Sequence, residues 1–148
     1  MKSSPKYLDS KYFYDKKGDE LFQQIMASDE YYLTESEMEI FSTQTAKIAD
    51  TLLKESKILD VIEFGAGDAT KSSHLIKELL NRNAIGTFFP IDISKNIIDL
   101  LHNTLPSALP GINIHGLNGE YFNMLTEANK ISHNKKLVLF LGSNIGNF

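Results

Sequence analysis

The 148 residues include no cysteine, which excludes disulfides and thiolate metal sites and permits a reducing compartment. They hold no cluster of lysines and arginines, and the formal net charge is −4, which argues against a nucleic-acid surface because neutralising phosphates needs grouped cations. Small molecules or proteins are the expected partners. No apolar run is long enough to span a bilayer, and Met1-Lys2-Ser3-Ser4-Pro5 leads into no hydrophobic stretch. Neither a membrane span nor a signal peptide is read, and a cytoplasmic protein is expected. The histidines, His74, His102, His115 and His133, show no HxxxH spacing and no companion acid cluster, so no metal site is expected. No Ser/His/Asp arrangement or paired-carboxylate spacing stands out, which weakens hydrolase readings. Internal repeats and low-complexity tracts are missing as well.

With 42% hydrophobic residues, a chain of this length can bury most of its unfolded surface in one core. Its most informative stretch is Val61-Ile62-Glu63-Phe64-Gly65-Ala66-Gly67-Asp68, a buried-strand pattern that runs into a glycine turn. Gly65 and Gly67 allow positive φ and close backbone approach to a ligand, while Glu63 places a carboxylate where the strand ends. A dinucleotide fingerprint asks for a third glycine three residues after the second, and that position is Thr70. Asp68 in the turn also opposes a pyrophosphate, which needs bare amides at a helix start. A sulfonium cofactor has no phosphate and tolerates an acidic loop, so the turn points to S-adenosylmethionine more than to NAD. The plain alternative is a turn that merely links strand to helix.

Periodicity organises the rest. Leu21, Phe22, Ile25 and Met26 after Gly18 predict a short amphipathic helix, and Thr34-Glu35-Ser36-Glu37 matches a capping box ahead of one long helix over about 35–54. Leu75, Ile76, Leu79 and Leu80 mark a helix after the glycine turn. A strand over 86–92 follows, with Pro90 at its end or where no ladder donor is needed. Ser94 then caps a helix carrying Ile97, Ile98, Leu101 and Leu105. Gly111 to His115 reads as a third strand, and Leu137 to Leu141 as a strand covered on both faces. The expected order is βαβαβαβ after a helical preface, which gives a parallel sheet with helices on both faces and a ligand beyond the carboxyl ends of its strands.

At those ends Asp92 is placed to accept hydrogen bonds from ribose hydroxyls, its alternative being a helix-capping carboxylate ahead of Ser94. Lys71 stands at the start of the first crossover helix, where a cation is poorly matched to the helix dipole. It can pair with a ligand carboxylate such as the amino-acid tail of S-adenosylmethionine, or be a solvated surface lysine. Methyl transfer from such a cofactor asks mainly for orientation, which tyrosines and amides can supply.

Pro5-Lys6-Tyr7-Leu8, Tyr12-Phe13-Tyr14-Asp15, Gly18-Asp19-Glu20-Leu21-Phe22, Glu30-Tyr31-Tyr32-Leu33-Thr34, Glu63-Phe64-Gly65-Ala66-Gly67 and Phe140 to Asn147 fall in the order of one family. The chain resembles the histidine-specific S-adenosylmethionine-dependent methyltransferases, the ergothioneine-pathway histidine Nα-methyltransferases and their relatives. The resemblance implies a Rossmann-like α/β methyltransferase sheet, with residues 1–56 as a helical segment contributing to the substrate site and 57–148 as the cofactor-binding part. It implies S-adenosylmethionine contacts at Gly65, Lys71 and Asp92, to which the reading of the glycine turn adds Glu63 and Gly67. Glu120-Tyr121 stands where the family has an Asp-Phe pair near the adenine. It further implies that Tyr14, Tyr31 and Asn147 line the amino-acid site, with Tyr14 and Tyr31 acting in catalysis; their alternative is packing of the helical preface against the sheet. The expected activity is methyl transfer to the α-amino group of an amino acid, histidine first.

Family proteins continue past the Ile-Gly-Asn sequence with more strands and a substrate domain, whereas this sequence ends at Phe148. The expectation is therefore an incomplete sheet, truncated after its fourth strand, with an uncovered edge open to self-association. Two alternatives stand beside the enzyme: a catalytically silent module that binds S-adenosylmethionine or a partner, and an NAD-dependent oxidoreductase, which Thr70 disfavours.

Overall fold

A computed structural model describes residues 16–26, 28 and 32–142. Helix α1 (Lys16–Met26) opens it, as the spacing of Leu21 and Ile25 predicts. The long helix expected next is two, α2 (Leu33–Thr43) and α3 (Thr45–Leu52), broken at Gln44 with φ −118°. The break has a local cause. The hydroxyls of Ser42 and Thr43 both donate back to the Glu39 carbonyl, at 3.1 and 2.7 Å, a pattern that bends helices just where the chain turns. The capping box does not form either: Tyr32 holds the N-cap position without a side-chain hydrogen bond, and Thr34 lies inside the first turn.

Then come β1 (Leu59–Phe64), α4 (Ser72–Asn81), β2 (Ile85–Asp92), α5 (Lys95–Ala108), β3 (Leu117–Asn118), α6 (Tyr121–Ile131) and β4 (Lys135–Leu139). The strands are parallel in the order β3-β2-β1-β4, so the alternation expected from the sequence is present. All six residues of β1 are buried, as befits a central strand. Pro90 is internal to β2. Phe88 donates to Asn113 and accepts from His115, which puts the alternate Pro90 nitrogen on the β3 side, between the Phe88–Ile114 bridge and the Ile91–Leu117 pair. Pairing lapses there, and the amide of Gly116 turns instead to His102 Nε2 at 3.3 Å, so no ladder donor is missed.

Two of the expected strands differ. The segment 111–115 contributes only the single bridge at Ile114, and β3 forms later, over two residues. Gly111, at φ +89°, and the gap opposite Pro90 keep the earlier segment from extending its pairing. Strand β4 is not covered on both faces among the described residues, since Val138 remains 41% exposed.

Side chains alternate across the sheet into two cores. On one face Val61 and Phe88 meet Leu75, Ile76 and Leu79 of α4, Leu101 and Leu105 of α5, and Phe41 and Ala49 of α2 and α3. On the other, Ile62, Phe64, Phe89 and Ile91 meet Ala128 of α6. Phe88 and Phe89 are both fully buried, each worth about 1.5–3 kcal/mol in apolar transfer. No helix among the described residues is long and apolar enough to cross a membrane.

Candidate functional site

The sheet order reverses direction at β1. The chain steps outward from β1 to β2 and β3, then returns to lay β4 on the other side. A crevice opens between the carboxyl ends at such a switch point. Three segments meet there: the turn after β1, the end of β2, and Phe140 to Gly142 after β4.

The turn is a sequence of left-handed conformations, at Gly65 (φ +66°), Gly67 (φ +52°) and Ala69 (φ +54°). A Cβ added at Gly67 would meet no atom within 4 Å, so the backbone faces open space there. The Gly65 amide donates to the Ile91 carbonyl at 2.8 Å, locking the turn to β2 and bringing Asp92 level with it. The Asp68 carboxylate accepts the Thr70 amide at 3.0 Å, which steadies the turn.

Glu63 is 3% exposed, and the Ser72 hydroxyl donates to its Oε2 at 2.6 Å. Burial raises the pKa of this carboxyl to about 8, against the pull of the Ser72 hydrogen bond and the Lys71 charge. Lys71 occupies the N-cap position of α4 and pairs with Glu37 of α2. Glu37 also receives the Gly142 amide, at 2.9 Å to Oε1 and 3.2 Å to Oε2. Asp92, 8% exposed, accepts the Ser94 amide at 2.9 Å through Oδ1, while Ser94 holds the N-cap position of α5 without a capping side-chain bond.

The last wall is aromatic. Tyr121 stacks on Phe64 with ring centroids 4.9 Å apart and planes 6° from parallel, and Phe140 stands edge-on to both rings. Glu120 takes the N-cap position of α6 but makes no capping hydrogen bond. The structure thus gathers Glu63, Gly65, Gly67, Lys71, Asp92, Glu120 and Tyr121 along one edge of the sheet. Tyr14, Tyr31 and Asn147 lie outside the described residues.

Two contributors escape sequence reading. Ser72 is one small helix residue among many. Glu37 sits in a pattern that reads as local capping, and only its place across the crevice shows where the carboxylate goes. No group of His, Cys, Asp and Glu suited to a metal ion occurs among the described residues.

A doubly wound parallel sheet with an acid-led glycine turn at its switch point defines a Rossmann-like cofactor-binding protein. The full chain, residues 1–148, matches the family described as histidine-specific, SAM-dependent methyltransferases, and the chain belongs to that family. It is 31% identical over 147 residues to the histidine N-alpha-methyltransferase of Mycobacterium tuberculosis, covering 99% of this chain and 44% of that protein. Likeness to ergothioneine biosynthesis protein 1 of Neurospora crassa is 30% over 149 residues, 99% of this chain and 17% of that protein. The 4-dimethylallyltryptophan N-methyltransferase of Claviceps fusiformis is 29% identical over 152 residues, 100% of this chain and 42% of that protein. The chain spans less than half the length of these relatives.

S-adenosylmethionine is the cofactor expected of this family, and the donor set fits it. The edge carries carboxylates at Glu37, Asp68, Asp92 and Glu120, beside the Glu63 carboxyl that burial keeps protonated, against the ammoniums of Lys71 and Lys95, the latter paired with Asp99. That balance suits a sulfonium and opposes a pyrophosphate. Lys71 offers a cation for a carboxylate, Asp92 an acceptor for hydroxyls, and the bare backbone at Gly67 room for close approach.

Proposed function

We propose that this chain is the cofactor-binding part of an S-adenosylmethionine-dependent N-methyltransferase that acts on the α-amino group of an amino acid, with histidine as the first acceptor. The observation that carries the reading is the convergence of the Glu63–Gly67 turn, Lys71 and Asp92 on one crevice in a member of this family. Relatives named for histidine and for a substituted tryptophan support an amino-acid acceptor as the wider class.

When bound, S-adenosylmethionine supplies a methyl group already activated on sulfur. The residues of this chain then have binding and orientation to perform. Lys71 takes the cofactor's carboxylate, Asp92 its ribose hydroxyls, and Glu120 with Tyr121 flanks the adenine. Gly65 and Gly67 let the backbone lie against the ligand, and Glu63 holds the turn to α4 through Ser72. Tyr14, Tyr31 and Asn147 orient the acceptor's α-amino and α-carboxylate groups. Residues 1–56 thereby contribute to the acceptor site, and 57–148 bind the cofactor and add Asn147 to the acceptor site.

Calorimetry with S-adenosylhomocysteine tests the cofactor, with binding at micromolar level expected; no detectable heat sinks the reading for this chain. Mass spectrometry after incubation with S-adenosylmethionine and histidine tests the reaction. Binding without methylated product favours a silent module over an enzyme.

A further inference from the structure

We infer that Glu37 is a positioning residue of the ligand site, holding the Lys71 ammonium where a cofactor carboxylate meets it; the inference rests on the cofactor reading above. Glu37 is released from helix capping, because α2 begins at Leu33 and its N-cap residue makes no side-chain cap. Thr34, the expected partner in that cap, is inside the helix with a buried hydroxyl that has no partner among the described residues. The Glu37 carboxylate reaches across the crevice instead, to groups on two other segments.

One is the ammonium of Lys71, whose side chain is only 18% exposed, as that of Glu37 is 24%. At the N-terminus of α4 the helix dipole repels this cation, and the flexible four-carbon stem would let it swing into water. Glu37 opposes both tendencies. The other is the Gly142 amide, which fixes the carboxylate from the β4 side. Gly142 itself sits at φ +67°, and a Cβ there would come within 3.7 Å of Lys71 Nζ, so the backbone after β4 passes close to the ammonium. Three separate segments, α2, the start of α4 and the end of β4, therefore converge on one charge.

An ammonium has three N–H donors, and Glu37 occupies one side of it. The remaining donors can serve a second carboxylate. In this arrangement Glu37 touches no ligand; it sets the direction from which Lys71 does. The same contact ties α2 to the start of α4 and to the segment after β4.

The test compares two ligands on the 148-residue chain by calorimetry: S-adenosylhomocysteine, and 5′-methylthioadenosine, which keeps the nucleoside and sulfur but lacks the amino-acid tail. Glu37→Gln keeps the shape and removes the charge. The expected result is about tenfold weaker binding of S-adenosylhomocysteine with 5′-methylthioadenosine unchanged. Lys71→Met should lose as much, the double variant should lose no more than Lys71→Met alone, and Glu37→Asp should recover part of the affinity. Equal weakening of both ligands would show a merely structural role, and tighter S-adenosylhomocysteine binding would show Glu37 to be a competitor for Lys71; either overturns the inference. Normal binding that Glu37→Gln leaves unaltered overturns the role of Glu37 alone. Failure of the unsubstituted chain to bind either compound overturns the cofactor reading beneath it.

Discussion

A carboxyl group as buried as Glu63 is more stable with its proton on, and this fixes the sign of its effect on stability. Its folded pKa, about 8, lies above the ordinary value of 4.5, so the folded state binds the proton more tightly than the unfolded state. The stability it contributes is fully present below about pH 4.5 and is lost as pH rises through 8. Glu63→Gln, which imitates the protonated form, should flatten that decline. Its melting temperature relative to the unsubstituted chain should rise between pH 5 and pH 8.5, read by circular dichroism; parallel curves would show that Glu63 ionises normally. Gly67 offers a separate residue-scale test. Its φ of +52° strains any side chain while the space around an added Cβ is open, so Gly67→Ala should cost about 1 kcal/mol in urea unfolding from backbone strain alone. Both residues could be picked out in the sequence, because an apolar run ending in an acid and two glycines has few structural solutions. Glu37 could not. The Thr-x-x-Glu spacing describes a local contact, and the groups that capture the carboxylate lie 34 and 105 residues further on.

Among the elements, β1, α4, β2 and α5 were legible because each carries an uninterrupted pattern long enough to be distinctive. The break between α2 and α3 was not, since the apolar spacing continues through it and only the Ser42 and Thr43 hydroxyls mark the bend. β3 was misplaced because two residues cannot show a period. Strand β4 is fastened to β1 by a feature far from the crevice. Asp60, fully buried near the start of β1, accepts the Thr87 amide at 2.9 Å and Asn134 Nδ2 at 3.0 Å through Oδ1. Its Oδ2 has no well-angled hydrogen bond and is met by Lys136 Nζ at 3.0 Å. Burial alone would raise its pKa, yet Asn134, Ser132, Lys136 and Thr87 together hold it below the usual value of 3.8. Here the sign is the reverse of that for Glu63: the stability is present above the ordinary carboxylate value and is lost as pH falls through the folded pKa. Lys136→Met should cost about 3 kcal/mol at pH 7, measured by urea denaturation, because it leaves a buried charge unpaired. The difference should shrink as pH falls through the lowered folded pKa of Asp60, where both chains take up its proton. An undiminished difference there would mean that packing of the lysine stem, and not its charge, joins the strands.

For the molecule as a whole, a ligand that binds only the folded chain must stabilise it by mass action. S-adenosylhomocysteine at a hundredfold its dissociation constant should add about 2.7 kcal/mol, or roughly 5–10 °C in melting temperature. NADH at the same concentration should add nothing, and a comparable rise with NADH would revive the oxidoreductase reading. The parallel architecture was legible from the alternation of elements, whereas the meeting of α2 with the start of α4 and the segment after β4 depends on tertiary packing that no local pattern encodes. The strand order also governs when the crevice can exist. Leu59 of β1 pairs with Ile85 on one side and Lys135 on the other. During synthesis one flank of β1 can be joined as soon as β2 emerges, but the other must wait for nearly the whole described chain. Until then the most apolar strand of the sheet shows an open flank to a crowded ribosome exit, where unpaired edges invite misassembly. The ligand cannot shorten that interval, because Gly142, which closes the crevice beside Glu37, is the last of its described residues to be made.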